Sequence, residues 1–333
     1  MLRPFPKIIR IGTIYGELPK IINFKKLLKI APVVILESQI NSEKIQNIYE
    51  TMLEYRDELF ERIKNKIPII SKNIYGNQLI RVIINTKEKE KINIIFHKLK
   101  KNIKKFSLDD NVTFVIQELI KNVNKVQLRV ISIELVRGNF EEFIQNENTK
   151  RVIQKLIISQ DRDANNEICK KICNNFIPFC KNKYTSYIIE TLLNKCNEYY
   201  YKKMFVNCIN NFFDLIGNMY GCHIVCYFVQ NNLNILFKLL INNIINISQI
   251  QFGVLIIRAI INNNKNPNLR NLFINIIKSN INILIFLSNN QYGNIVVQDI
   301  LDFLDQNTKN YLKKKLQEKK NTKYSDYVLD KLI

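Results

Sequence analysis

One twelve-residue pattern recurs along this chain, and repetition at a fixed period constrains a fold more tightly than composition does. The segment NQYGNIVVQDIL at 290–301 has relatives at 73–84 (NIYGNQLIRVII), 182–193 (NKYTSYIIETLL), 218–229 (NMYGCHIVCYFV), 249–260 (QIQFGVLIIRAI) and 321–332 (NTKYSDYVLDKL). Weaker copies stand at 109–120 (DDNVTFVIQELI) and 146–157 (NENTKRVIQKLI). Taking the residue five places after the small position as a marker gives Arg81, Gln117, Gln154, Glu190, Cys226, Arg258, Gln298 and Asp330, spaced by 36, 37, 36, 36, 32, 40 and 32 residues. Gly76, Gly221, Gly253 and Gly293, four of the eight glycines, hold the small position, and an aromatic precedes it in six of the eight copies. Small side chains there let neighbouring helices approach closely.

Each copy reads as a helix of roughly three turns, because its apolar residues recur at helical spacing. In the best copy Tyr292, Val296, Val297, Ile300 and Leu301 share one broad face, while Asn294, Ile295 and Gln298 fall on the opposite side. Further apolar-periodic stretches, such as 91–106 and 271–287, lie between copies. The unit is therefore two or more helices, stacked side by side on its neighbours into an all-α solenoid.

Hydrophobic residues make up 47% of the chain, enough for a sizeable core. Fifty Lys and Arg against 29 Asp and Glu leave a net charge of +21, the balance expected for a polyanionic partner, whether nucleic acid or a membrane surface. Lys shares A/T-rich codons with the equally abundant Ile and Asn, so part of that excess is compatible with drift in base composition. The opening MLRPFPKIIRIGTIYG carries no apolar core of signal-peptide length. Uncharged apolar runs such as 281–287 fall short of the ~20 residues of a membrane helix, so no span is expected. Seven scattered cysteines, an odd number, point to free thiols in a reducing compartment, where the N-x-S/T sites at Asn111 and Asn246 carry no glycan. Cys222, His223 and Cys226 have the spacing of half a zinc site, but the only other histidine, His97, lies in a distant repeat. Cys169 and Cys173 share that spacing and read as packing residues. No phosphate loop, HExxH or nucleophile elbow occurs, and neither an enzyme, a metal nor a cofactor is expected.

These residues resemble the Pumilio homology domain of the Pumilio (PUF) family. Its repeats carry an aromatic, a small residue and then a pentad whose first, second and fifth side chains face RNA. The resemblance implies a right-handed, armadillo-like crescent of stacked three-helix repeats. It implies one continuous domain: an N-terminal cap with a degenerate first repeat over 1–50, its helix near Ala31–Gln39; Pumilio-type repeats over 51–302; and a C-terminal cap repeat over 303–333. The longer interval before Gln298 matches a connection the family often carries, supplied here by 262–271. Four of the seven prolines fall in the first 32 residues, as suits an irregular cap.

On that pattern the base-edge pairs are Asn77 with Arg81, Thr113 with Gln117, Lys150 with Gln154, Ser186 with Glu190, Cys222 with Cys226, Val254 with Arg258 and Asn294 with Gln298. The stacking residues are Gln78, Phe114, Arg151, Tyr187, His223, Leu255 and Ile295. Two side chains one turn apart can read a base edge while a third stacks on its face. The amides of Asn294 and Gln298 both donate and accept, which suits uracil, and the family's Asn–Gln pattern implies the same base. The Glu190 carboxylate only accepts, which suits the two adjacent donors of guanine, as the family's Ser–Glu pattern also implies. Phe114, Arg151, Tyr187 and His223 put planar groups in four successive stacking positions. Val254, Leu255 and Arg258 stand where the family has Ser, Asn and Glu for an essential guanine, so the family's UGU core is not expected to be read intact.

The leading expectation is a single-stranded RNA-binding, monomeric, cytoplasmic regulator of messenger stability or translation, acting through 3′ untranslated elements. It would recruit protein partners on its convex face or the 262–271 loop. The alternatives are a nucleolar factor holding ribosomal RNA precursors with little base preference, as some PUF-like relatives do, and a HEAT- or armadillo-like protein scaffold. A scaffold would show acidic or apolar groove residues, not recurrent planar ones.

Overall fold

Each copy of the repeat begins its patterned helix in nearly the same way, and that start is what fixes the helix on its neighbours. The computed structural model describes residues 36, 39–159, 162–318 and 322–332, and every regular element among them is helical. The expected helix near Ala31–Gln39 falls largely outside the described residues. The patterned helices are α1 (Gly76–Asn85), α2 (Val112–Asn122), α3 (Glu147–Ile158), α4 (Thr185–Leu193), α5 (Met219–Asn242), α6 (Gly253–Ile261) and α7 (Gly293–Ile300).

Ahead of six of the seven patterned helices a side-chain oxygen accepts from the first unpaired amides. Asn73 accepts from Tyr75 and Gly76 at 2.8 and 2.9 Å, and Asn182 from Tyr184 and Thr185 at 2.8 and 3.2 Å. Asn218 accepts from Tyr220 and Gly221 at 2.9 and 3.0 Å, and Asn290 from Tyr292 and Gly293 at 2.9 Å each. Asp109 and Asn146 serve α2 and α3 in the same manner. Before α6 the equivalent residue is Ile250, which has no oxygen to offer.

The small residue follows, pressed against the carbonyl six residues earlier. A Cβ at Gly76, Gly221 or Gly293 would lie 2.6, 2.7 and 2.7 Å from the carbonyl oxygens of Ile70, Leu215 and Leu287, and one at Gly253 closer still to that of Ile247. Where threonine takes the place, its hydroxyl donates to the corresponding carbonyl: Thr149 to Phe143 and Thr185 to Phe179. Short helices such as Ile67–Lys72, Phe212–Ile216, Ile244–Ser248 and Ile281–Ser288 are packed against the patterned helices that follow them.

The chain divides into two compact units, residues 1–128 and 129–333, with the boundary inside the helix Lys125–Val136. In the first unit α1 packs on α2, and Ile67–Lys72 packs on Lys89–Leu99. In the second, α3 to α7 pack on one another in chain order, Lys323–Lys331 packs on α7, and Arg162–Asn174 packs on Glu198–Asn210. The cores are aliphatic: Leu79, Ile80, Ile83 and Ile84 of α1 and Val296, Val297 and Ile300 of α7 are fully buried. Each such side chain contributes about 1.5–3 kcal/mol. Polar side chains bond partners one period away. Gln127 donates to Asn93 in the first unit, and in the second Asn175 donates to Glu141, Lys181 to Asp214 and Tyr227 to Asn194, over separations of 34, 34, 33 and 33 residues.

By length and composition alone α5, at 24 residues, is apolar enough to cross a membrane. Asn232 departs from helical geometry (φ −135°, ψ 33°) and breaks it into a patterned helix and the first helix of the next repeat, whose Leu233, Leu236 and Leu240 are buried. The 24-residue length is thus two solenoid helices end to end.

The close approach makes a stability prediction. Gly253→Ala should destabilise the protein by about 1–3 kcal/mol, as overpacking against backbone does. Gly217→Ala, at a helix end where the nearest heavy atom to an added Cβ is 3.5 Å away, should be neutral or stabilise by up to ~1 kcal/mol. Denaturant melts of the two variants check the contrast.

Candidate functional site

The pentad positions sit in the first two turns of each patterned helix, directly after the capped start, so the cap sets where their side chains emerge. The first position is less open than a helical wheel implies. Asn77, Thr113, Ser186, Cys222, Val254 and Asn294 are each at most 6% exposed. Asn77 and Asn294 spend their amide donors on the cap: Asn77 on the carbonyls of Asn73 and Ile74 at 3.0 and 2.9 Å, Asn294 on those of Asn290 and Gln291 at 2.9 and 2.8 Å. The Asn294 side-chain oxygen accepts from Gln298 at 2.9 Å, and Thr113 accepts from Gln117 at 3.5 Å. First and fifth positions are thus coupled within a helix, and in α7 the fifth residue presents the pair outward.

The second position is the open one. Gln78, Arg151, Tyr187 and His223 are exposed, and Phe114, Leu255 and Ile295 are half-buried. Cations from the preceding patterned helix lie against two of these rings. The Arg81 guanidinium lies 5.5 Å from the Phe114 ring centre within the first unit. In the second unit Lys150 Nζ lies 5.1 Å from the ring of Tyr187 and 5.7 Å from that of Tyr184. Such contacts hold the rings while keeping positive charge beside them. Burial would raise Glu147, but Lys150 and Arg151 beside it hold its carboxyl below the usual range, so one carboxylate tempers two cations here.

Two of the fifth positions, Gln154 and Arg258, reach across to the next patterned helix. Gln154 Nε2 donates to Thr191 Oγ1 at 2.9 Å and to the Tyr187 carbonyl at 3.2 Å. Arg258 donates from Nε and Nη2 to the two carboxylate oxygens of Asp299 at 2.6 and 3.2 Å. The receiving residues Thr191 and Asp299 each stand one place past the pentad, as does Tyr227, whose hydroxyl meets Asn194. Sequence reasoning missed this sixth position. Its signal was a polar residue at five of the seven such positions, Glu118, Lys155, Thr191, Tyr227 and Asp299, the other two being Val82 and Ala259.

Between α4 and α5 the pieces converge on a cavity of about 260 Å³, lined by Ser186, Tyr187, Glu190, His223, Cys226 and Tyr227 among others. Two planar side chains, one carboxylate and one phenol around a space of that size can sandwich a flat heterocycle and accept hydrogen bonds from its edge. Burial pushes the Cys222 thiol up to about 11 and those of Cys226 and the Tyr227 phenol to about 12, so all three are neutral donors at physiological pH. Among the described residues no three His, Cys, Asp or Glu side chains come together to hold a metal ion.

No protein-family model and no curated protein sequence matches the chain. Solved structures do. The Puf3 RNA-binding domain bound to the Cox17 RNA 3′ UTR recognition sequence site A superposes with a TM-score of 0.77 at 18% identity, covering 93% of this chain and 96% of that one. PUF-8 in complex with PBE-RNA gives 0.79 at 15% identity over 92% and 93% of the two chains. The RNA-binding domain of yeast Puf5p bound to SMX2 RNA gives 0.68 at 22% identity over 93% and 98%. At these identities the likeness is one of architecture, and it extends the sequence resemblance to the backbone of nearly the whole chain: this protein has the all-helical repeat fold of the Puf RNA-binding domains.

Proposed function

We propose that the protein binds single-stranded RNA along its patterned helices, one base to a repeat, and acts in the cytoplasm on 3′ untranslated elements of messengers to set their stability or translation. The observation that carries this is the α4–α5 cavity, whose lining brings together the exposed residues Tyr187, Glu190 and His223. A flat base with two adjacent donors fits that set, and the net charge of +21 supplies the attraction for a phosphate chain. The fold neighbours bound to 3′ UTR sequences support the choice of messenger over other RNA. A second reading, a holder of ribosomal RNA precursors with little base preference, draws on α6, where Val254 is buried and Leu255 offers neither an edge nor an aromatic face.

Three outcomes are expected. Binding of a single strand should exceed that of duplex of the same sequence, and log K should fall linearly with log salt. Equal affinity for duplex in an anisotropy titration would contradict base reading. Tyr187→Ala and Phe114→Ala should each weaken RNA binding by about 1–3 kcal/mol with helicity retained by circular dichroism; normal binding by both would show that the interface lies elsewhere. Glu190→Gln exchanges an acceptor pair for an amide and should relax a guanine preference at one base by about 1–3 kcal/mol. A position-by-position preference profile shows whether that base alone changes.

A further inference from the structure

The repeat built on α6 carries neither a polar first position nor a planar second position with which to read a base. Its start has Ile250 where the other patterned helices have Asn or Asp. Its first pentad residue, Val254, is apolar and 3% exposed, and its second, Leu255, is half-buried. Arg258 is the one polar pentad group, and both of its engaged N–H donors point at Asp299 of the next helix, with Nε 2.6 Å from Oδ2 and Nη2 3.2 Å from Oδ1. The arginine fork donates to two oxygens of a carboxylate in the same planar geometry in which it donates to O6 and N7 of guanine. A carboxylate already seated in the fork and a guanine edge are therefore competitors for one set of donors.

We propose that α6 is a silent repeat and that Asp299 is the residue that silences it, by occupying the fork of Arg258 where a guanine edge would otherwise dock. Asp299 is then a specificity-determining residue that touches no base. It makes the RNA element bipartite, with an unread base between those facing α5 and α7. The proposal rests on the RNA-binding reading above and adds to it which repeat does not discriminate.

The ion pair is held from both sides of a repeat junction. Asp299 stands on α7, one place past Gln298, and its side chain is 24% exposed against 45% for that of Arg258. Asp299 is thus the better-covered partner, and the fork is the end that RNA would have to reach. Removing the carboxylate leaves a guanidinium beside the path of the strand with no acceptor.

The test is selection of bound sequences from a randomised single-stranded RNA pool by the full chain, in wild type, Asp299→Ala, Asp299→Asn, and Asp299→Ala combined with Arg258→Ala, each checked for folding by its melting curve. The wild type should enrich preferred bases on both sides of one position at which all four bases are equally frequent. Asp299→Ala should acquire a guanine preference of about tenfold there, the scale of one bidentate base contact. The double variant should lose it again. Asp299→Asn, which keeps the shape and removes the charge, should gain in the same direction and serves if the alanine variant is unstable. A wild-type profile with a preference at every position would overturn the proposal, as would a variant whose profile stays flat at that position. A gain in affinity equal for all four bases would also overturn it, since Arg258 would then be taking a phosphate. Failure of the wild type to enrich any sequence, or to bind the pool at all, would instead count against the base-reading function itself.

Discussion

The stacking of this protein depends on one tight contact repeated along the chain: in six of the seven patterned helices the first turn lies against the carbonyl six residues earlier. Glycine fits there without a partner and threonine fits by donating its hydroxyl to that same oxygen, as Thr149 and Thr185 do, while α2 carries Val112 at this place. The contact fixes the angle between a short preceding helix and the patterned one, and the pentad begins at the very next residue. An error of one turn at this junction would turn every candidate base-reading side chain away from its neighbours. Sequence, packing and site are therefore linked at a single position per repeat.

From that junction two sets of polar contacts spread with different purposes. Within a helix, the cap carbonyls hold Asn77 and Asn294, and Asn294 in turn holds Gln298. Between helices, the fifth position of one repeat meets the residue past the pentad of the next, as in Gln154 to Thr191 and Arg258 to Asp299. Ordering these side chains before a ligand arrives lowers the entropy lost on binding. The same ordering limits what each can recognise, because a donor already engaged, such as those of Asn294, is not offered to a base.

The repeat, its period and its apolar face were legible because helical spacing of Ile, Leu and Val leaves a strong signal in a chain with few interruptions. The glycine junction was legible for the same reason, since Gly76, Gly221, Gly253 and Gly293 recur in step. The helix caps were present in the sequence as Asn73, Asp109, Asn146, Asn182, Asn218 and Asn290, but Asn is so frequent here that its recurrence did not stand out. The burial of the first pentad position was not legible. A helical wheel places Asn294 opposite the core, whereas the side chain folds back over its own cap. The bond from Arg258 to Asp299 spans 41 residues, and only the packing of α6 on α7 brings the two together.

The central claim is that RNA lies along the patterned helices with its bases against the second pentad position. Photo-crosslinking of a thiouridine-substituted single strand, followed by peptide mapping, tests it most directly. The account predicts crosslinks in peptides carrying Phe114, Tyr187 and His223, each lost when its residue is changed to alanine. Crosslinks confined to the helices Lys89–Leu99, Arg162–Asn174 and Glu198–Asn210, and unaffected by those substitutions, would contradict it.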